Sequence, residues 1–384
     1  MKYNFLILGG NGMQGRIVVR DLLENGYTAC IADLYKEGTQ KFLDMYPTQA
    51  SFSFVDLRDT EALLDLIRKI KPHVVVNCAE GDWNLNVYHA CLETNTHVLD
   101  LGSDIAMTRE QLAMDPLFKK QGLTAITGCG STPGINNILL HHARGLFDTI
   151  QSVDVGFAWD SNIKKFVVPF SIQSILEEFT DAAPVIVNGE WIEVVPLEHI
   201  IEKEFREIGK QQCFFVRHPE TYTFYASYHE DGLKSVHFYA GFPQHSFDTI
   251  HMFIESGLGS KEVMIIDGKE VIPLEVLTRA LRNIVPPEGY LEKENLWVDI
   301  EGEKDGKTKK VLMECIVDTL PGWEDAGCNI DTGIPASIMG QMVYKGLINE
   351  RGSFAPGSIV PKDEFFDEIR KRGMVIYENG VKLV

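Results

Sequence analysis

"FLILGGNGMQGRIVVRDLLENGYTACIADL", from Phe5 to Leu34, decides the fold, because a glycine cluster lies between an apolar run and a helical pattern. Gly10, Gly12 and Gly15 fit the G-x-G-x-x-G spacing, directly after a predicted strand and at the start of a predicted helix. In this context Gly10 permits the tight turn, Gly12 lets the backbone approach a pyrophosphate, and Gly15 lets helix and strand pack closely. The stretch therefore predicts a dinucleotide-binding site.

The residues around the cluster indicate which dinucleotide is held. Met13 and Gln14 begin the predicted helix, whose free N–H groups favour phosphates. Asp33 closes the second predicted strand, where a carboxylate accepts both ribose hydroxyls and repels a 2′-phosphate. NAD is therefore expected in preference to NADP, although Tyr35 and Lys36 follow closely and Lys36 leaves some use of NADP open.

The third group of expected cofactor contacts ends the fourth predicted strand. The carboxyl edge of that strand is where the ribose and nicotinamide lie in folds of this type. The residues are Asn77, Cys78 and Ala79.

The composition restricts the partners that the protein can have. The chain has 384 residues, of which 45% are hydrophobic, enough for two or three domains. Its 36 Lys and Arg against 55 Asp and Glu give a net charge of −19. So acidic a surface argues against nucleic acid and anionic membranes as partners and favours cationic small molecules.

The cysteines indicate the compartment. Seven of them are scattered along the chain, and none forms a Cys/His group with the spacing of a metal site. No stretch is typical of a signal peptide or of a transmembrane helix. We expect free thiols, no metal and a cytoplasmic protein.

The chain divides into parts of different character. Up to Pro133-Gly134, short apolar runs alternate with helices, which predicts a doubly wound parallel sheet. Later runs such as "TYTFYASY" and "LWVDIEGEKDGKTKKVLMECIVD" predict a mostly antiparallel sheet with some helices, the second run being a hairpin turning at Asp305-Gly306. We expect a Rossmann domain over 1–134, an α+β substrate-binding and dimerisation domain over 135–332, and C-terminal helices over 333–384 that return to the first domain. A homodimer would cover the open sheet.

Several further stretches together resemble the saccharopine dehydrogenase-like family, which includes saccharopine reductases and lysine 6-dehydrogenases. The resemblance spans nearly the whole chain in matching order. The stretches that carry it are "HVLDLGSD" (97–104), "GCGSTPGINN" (128–137), "PVIVNGEWIEVVPL" (184–197), "VRHPETYTF" (216–224), "TGIPASIMGQMVYKGLINERG" (332–352) and "PKDEFFDEIRKRG" (361–373).

This resemblance implies oxidation or formation of a C–N bond in an amino-acid side chain, with hydride exchanged with a nicotinamide. Such chemistry needs a proton acceptor for the amine and groups that hold the substrate. Asp100, at the end of the fifth predicted strand, and His218, in "VRHPETYTF", are the candidate catalytic residues. A turn or cap role for Asp100 and a locally satisfied imidazole for His218 are the alternatives.

The candidate substrate contacts follow from charge and position. Glu80 and Asp82, in "CAEGDWN", would bind an ammonium group, or else be solvated loop charges. Arg217 offers a fork for an α-carboxylate. Thr332 and Gly333 match a substrate-contacting pair in the family, and a cap on the following helix would explain them equally well.

The acidic residues favour lysine 6-dehydrogenase-type oxidation over saccharopine cleavage, since saccharopine carries three carboxylates and lysine carries a distal ammonium. Carboxynorspermidine-type reduction is a third option, because polyamines are also cationic. A dinucleotide sensor that binds NAD without turnover is the alternative outside enzymes.

Overall fold

The structure is a computed structural model that describes residues 2–102, 104–281 and 284–383, and its first third alternates strands with helices. The strands are β1 (Phe5–Leu8), β2 (Ala29–Asp33), β3 (Ala50–Phe54), β4 (Val74–Asn77), β5 (His97–Asp100) and β6 (Thr124–Ile126). The helices are α1 (Met13–Glu24), α2 (Gln40–Met45), α3 (Thr60–Ile70), α4 (Asn84–Thr94), α5 (Ile105–Ala113), α6 (Asp115–Gln121) and α7 (Ile135–Arg144).

Strands predominate in the middle of the chain, and the tail is mixed. The middle strands are β7 (Thr149–Ser161), β8 (Ala183–Val187), β9 (Glu190–Val194), β10 (Ile201–Phe205), β11 (Gly209–Phe215), β12 (Ser235–Phe242), β13 (Met264–Ile266), β14 (Lys269–Val271), β15 (Glu292–Lys304) and β16 (Lys307–Asp318). The middle helices are α8 (Ile172–Thr180), α9 (Pro219–Tyr228), α10 (Gln244–Glu255) and α11 (Pro273–Leu281). The tail holds α12 (Ile330–Lys345), β17 (Gly352–Phe354), α13 (Lys362–Lys371), β18 (Val375–Glu378) and β19 (Val381–Lys382).

The first sheet is parallel, in the order β17-β6-β5-β4-β1-β2-β3. Its central strands β1 and β4 are buried throughout, as expected for strands covered by helices on both faces. The order reverses direction between β1 and β4, which opens a crevice at their carboxyl ends. The predicted Rossmann architecture is confirmed.

The second sheet is mostly antiparallel, with a path of β10-β11-β12-β7-β15-β16-β18-β19 and with β8 and β9 attached to β12. Its one parallel pair among the described strands joins β12 to β7. The predicted hairpin is present: Lys304 pairs with Lys307, and Asp305 and Gly306 take positive φ values of 52° and 71°. Those values are the ones that a two-residue turn of this type requires.

Two predicted elements differ from the structure. "TYTFYASY" lies in helix α9 rather than in a strand, because Pro219 starts a helix readily at its first position. The apolar pattern of the tail predicts a helix over 336–348, whereas helix α12 begins earlier, at Ile330, and contains Pro335 in its first turns. The sequence also predicts a helix over 274–284; the structure has helix α11 at Pro273–Leu281, and residues 282 and 283 lie outside the described residues.

The tail contacts both sheets. β17 extends the first sheet beside β6, α12 packs along α1, and β18 pairs with β16 in the second sheet. Buried Asp21 of α1 accepts hydrogen bonds from Ser337 (2.6 Å), Gln341 (3.0 Å) and Arg372 (2.6 Å). This network anchors the helix whose first turn borders the glycine cluster.

In the described part of the chain, no helix is both long and apolar enough to cross a membrane.

Candidate functional site

The glycine loop between β1 and α1 is shaped by close backbone contacts. Gly9 has the positive φ of the turn, +66°, and a Cβ there would lie 2.6 Å from the amide nitrogen of Ala79. The sequence predicted that Gly10 would adopt the conformation of the tight turn. That prediction was wrong, because the residue with the positive φ is Gly9. Gly10 instead has to be small because a Cβ would lie 2.7 Å from Cγ2 of Ile31.

Helix α1 starts immediately after this loop. Gly12 is its N-cap and offers no side-chain cap to the first N–H groups, and Met13 and Gln14 border the cleft described below. A Cβ on Gly15 would lie 2.1 Å from the carbonyl oxygen of Gly9, so helix and strand pack too closely for any side chain. The loop and the helix N-terminus have the form that accommodates a pyrophosphate.

Asp33 at the end of β2 is held by the backbone. Its two carboxylate oxygens accept hydrogen bonds from the amides of Asn11 (2.9 Å) and Tyr35 (3.1 Å). Arg16 and Arg58 border the same end of the cleft, and Arg58 is ion-paired with Asp56 (2.6 Å). The ribose end of the site therefore carries an oriented carboxylate beside two cationic side chains.

The residues predicted for the site at the end of β4 and in the following loop differ in whether they line the cleft. The Asn77 amide donates to Asn84 (2.7 Å) and accepts from the amide of Ala79 (3.2 Å), which fixes the loop. Cys78, Ala79 and Glu80 line the cleft, and burial raises the pKa of the Cys78 thiol. Asp82 is exposed and lies outside the cleft lining, so only Glu80 of these two predicted acids borders the cleft.

Asp100 does not reach the cleft, which contradicts its predicted place at the reaction centre. The carboxyl is fully buried and accepts hydrogen bonds from Tyr88 (2.7 Å), Gln111 (2.7 Å) and the amides of Gly102 (2.7 Å) and Gly128 (3.1 Å). Burial raises the pKa of Asp100. We propose that it positions the loops after β5 and β6, because its lone pairs are already used by donors of the protein.

A cleft of about 1360 Å³ joins the glycine loop to the second sheet. On the second-sheet side, the wall is made of aromatic, aliphatic and acidic side chains. They include Phe157, Trp159, Val168, Phe170, Glu178, His218, Glu292, Glu294 and Asp331, and polar residues such as Thr332 lie among them.

Four of these residues form what we call the carboxyl cluster: Glu178, Glu292, Glu294 and Asp331. They come from α8, β15 and the first turn of α12. Burial raises the pKa of each, to about 7 for Asp331, and the adjacent Asp331 carboxyl raises that of Glu294 further. None of these four carboxyls was predicted as a site residue from the sequence, because no local motif links them.

His218 borders the cleft with its ring held on two sides. Its Nδ1 is hydrogen-bonded to the buried carboxyl of Glu220, and its ring stacks on Phe238 with centroids 3.9 Å apart and planes at 13°. Nδ1 is thus occupied, which leaves Nε2 as the nitrogen free to exchange a proton with a ligand. Arg217 is exposed, donates to the carbonyl of Ala182 (3.1 Å) and does not line the cleft.

Thr332 and Gly333 lie inside α12 rather than before it. At the edge of the cleft, the Thr332 hydroxyl is hydrogen-bonded to the Ser131 hydroxyl (2.9 Å) and donates to the carboxyl of Asp331 (3.1 Å). Gly333 faces α1, where a Cβ would lie 2.5 Å from Cγ2 of Ile17, so it allows the two helices to pack closely, and it does not line the cleft. Within the described residues, no group of three or more His, Cys, Asp or Glu is arranged to hold a metal ion.

Comparison with known proteins found family models and a solved structure that match this chain. Residues 5–126 match the model of the saccharopine dehydrogenase NADP binding domain, and residues 130–374 match that of the saccharopine dehydrogenase C-terminal domain. The fold is that of apo saccharopine dehydrogenase (L-Glu forming) from Saccharomyces cerevisiae, with a TM-score of 0.77 and 15% identity over 100% of both chains.

Curated relatives have similar lengths. Carboxynorspermidine synthases of Vibrio cholerae and Vibrio alginolyticus are 27% and 25% identical, each over 83% of this chain and 80% of theirs. Carboxyaminopropylagmatine dehydrogenase of Synechocystis is 24% identical over 82% of this chain and 81% of its own.

Proposed function

Because this chain belongs to the saccharopine dehydrogenase family, we propose that it is a nicotinamide-dependent oxidoreductase that forms or oxidises a C–N bond of a carboxylated polyamine. One observation carries the proposal: the glycine loop and the carboxyl cluster line one and the same cleft. The relatives named for carboxynorspermidine and carboxyaminopropylagmatine have substrates with several cationic nitrogens, and buried carboxyls suit such nitrogens.

The residues at the first end fit a nicotinamide dinucleotide. The positive φ of Gly9 and the absence of room at Gly15 allow backbone N–H groups to contact the pyrophosphate, and Asp33 would accept the ribose hydroxyls. The bound nicotinamide supplies hydride acceptance or donation. We keep NAD as the preferred form because of Asp33, while Arg16 and Arg58 beside it leave room for NADP.

In this proposal, His218 is the residue that exchanges a proton with the substrate nitrogen. In oxidation, the substrate carbon loses a hydride and its amine nitrogen loses a proton, leaving a C=N bond that water hydrolyses; reduction reverses these steps. His218 takes the proton from the nitrogen at Nε2 while Glu220 holds Nδ1 and stabilises the imidazolium. Aromatic side chains such as Phe157 and Phe170 exclude water from this end of the cleft.

Oxidation of the ε-ammonium carbon of lysine is the second candidate. A single distal ammonium would also be attracted by the carboxyl cluster, and lysine fits the preference for NAD. Saccharopine is disfavoured because, among the described residues that line the second-sheet side, His218 is the only side chain able to carry a positive charge. Three substrate carboxylates would face that wall of acids.

The test is a set of spectrophotometric assays that follow the absorbance of NADH or NADPH at 340 nm. Oxidation of NADH or NADPH with an amino-acid semialdehyde and an α,ω-diamine would support the proposal; NADH formation from NAD and lysine would support the second candidate. Dinucleotide binding with no turnover on any of these, or on saccharopine, would leave the sensor hypothesis and refute both.

We also propose that the enzyme is a cytoplasmic homodimer. All seven cysteines are free thiols, in keeping with a reducing compartment. The edge strands β9 and β10 expose Trp191, Ile192 and Ile201, which a second copy would cover. Sedimentation equilibrium giving a 43.2 kDa monomer would refute the dimer.

A further inference from the structure

The carboxyl cluster contains more acceptors than the protein satisfies. Glu292 is paired with the chain itself, because its carboxyl accepts the amide hydrogen of Cys328 (2.9 Å). Oδ2 of Asp331 and Oε2 of Glu178 are shielded from solvent and accept no hydrogen bond among the described residues. Buried acceptors without donors are costly, so these oxygens indicate a ligand that brings N–H or O–H groups.

Glu294 lies between the other acids. Burial raises the pKa of its carboxyl, and the nearby carboxyls of Asp331, Glu292 and Glu178 raise it further. Glu178, Glu294 and Asp331 come from α8, β15 and α12, so three elements that are distant along the chain each contribute a carboxyl to the cleft lining. A cationic ligand would relieve their mutual repulsion.

The surroundings of the cluster are apolar. Phe157 and Trp159 are 5% and 3% exposed, and Phe170 packs edge-to-face on Phe157 with ring centroids 6.2 Å apart. All three line the same side of the cleft as the acids. Such walls bury methylene groups and attract a cation through their ring faces.

We propose that Glu178, Glu294 and Asp331 form the acidic part of the cleft that attracts and binds the terminal primary ammonium of the amine substrate, with its methylene chain against the aromatic wall. An ammonium group has three rotatable donors, which suits three separate carboxyls, whereas a planar guanidinium suits a bidentate pair. The inference rests on the proposed function and adds to it the head group of the substrate and the residues that select it.

A proton balance follows from this arrangement. The free cluster holds protons because its carboxyls are buried, and a cation that enters favours their ionised forms. Binding of the ammonium therefore releases protons to the solvent, and affinity for the amine increases with pH until the cluster is ionised.

The experiment is a calorimetric titration of the full chain, with NADH or NADPH present, using 1,3-diaminopropane, 1,4-diaminobutane, propylamine and agmatine as probes. We expect the better diamine to bind at least ~10-fold more tightly than propylamine, and agmatine to bind more weakly than the diamine. Titrations in two buffers of different ionisation enthalpy should show proton release.

Glu178→Gln should remove most of the preference for the diamine, and Glu177→Gln is the matched control. Glu177 is the neighbouring residue of α8, lies outside the cleft lining and pairs with Lys261 (2.7 Å). Asp331→Asn is the second test variant, with loss of proton release as its readout.

Equal affinity for diamine and monoamine, or a preference that survives Glu178→Gln, would overturn the inference. Tighter binding of agmatine than of the diamine would mean that the carboxyl cluster prefers a guanidinium to an ammonium group. That result would also overturn the inference. These outcomes are separable from failure of the proposed function. Diamine binding without turnover refutes only the function, and turnover that ignores Glu178 refutes only the subsite.

Discussion

Replacement of Asp331 by Asn should make the ligand-free protein more stable at neutral and alkaline pH. The pKa of Asp331 rises from 3.8 to about 7 in the folded protein because the carboxyl is buried. A rise of about three pH units is worth up to ~4 kcal/mol, since each unit corresponds to about 1.4 kcal/mol. The Asn side chain keeps an oxygen for the Thr332 hydroxyl and brings an N–H₂ that can donate to Glu294.

The sign follows from proton binding. Between pH 3.8 and about 7, folded Asp331 holds a proton that the unfolded chain has released. The free energy of unfolding therefore falls as pH rises through this window, and the loss is complete above it. The Asn variant lacks this loss, so the two proteins should be similar near the acid end and diverge as pH increases.

The assay is urea-induced unfolding of both proteins across the window, followed by tryptophan fluorescence. Asp325→Asn is the control, because Asp325 is largely exposed and its one ion pair among the described residues is a long one, with Arg20 (3.8 Å). If the stability of Asp331→Asn parallels that of the wild type at every pH, Asp331 is ionised without cost in the folded protein. Burial of this carboxyl would then not raise its pKa.

Three further predictions follow from the site. Asp33→Ser should weaken NAD binding and reduce the preference over NADP by about tenfold or more, as measured by the ratio of Kd values; an unchanged ratio would show that Asp33 does not contact the ribose. Glu220→Gln should lower kcat by roughly 10²-fold and shift the pH–rate profile, with exposed Glu230→Gln as the control; an unshifted profile would leave Glu220 a purely structural residue. Asp100→Asn should destabilise the fold by ~1–3 kcal/mol in urea, and a variant of full stability with abolished turnover would return Asp100 to the chemistry.

The elements near the glycine cluster could be predicted because their determinants are local. Strand β1, the turn and helix α1 follow one another directly, and the glycines there exclude side chains that the turn cannot accommodate. Asp33 is equally predictable, because the end of the second strand of such a sheet has a fixed relation to the turn. Even so, the residue with the positive φ proved to be Gly9, since spacing alone does not show which glycine of a run adopts it.

The sequence by itself thus determined the Rossmann sheet, its dinucleotide loop, the hairpin at Asp305-Gly306 and membership of a dehydrogenase family. Tertiary structure alone decided which acids line the cleft. Asp100 is withdrawn by donors from α4 and α5, whereas Glu178, Glu294 and Asp331 are brought together from elements distant along the chain. The physical reason is that burial and charge repulsion depend on neighbours in space, and local spacing carries no record of them.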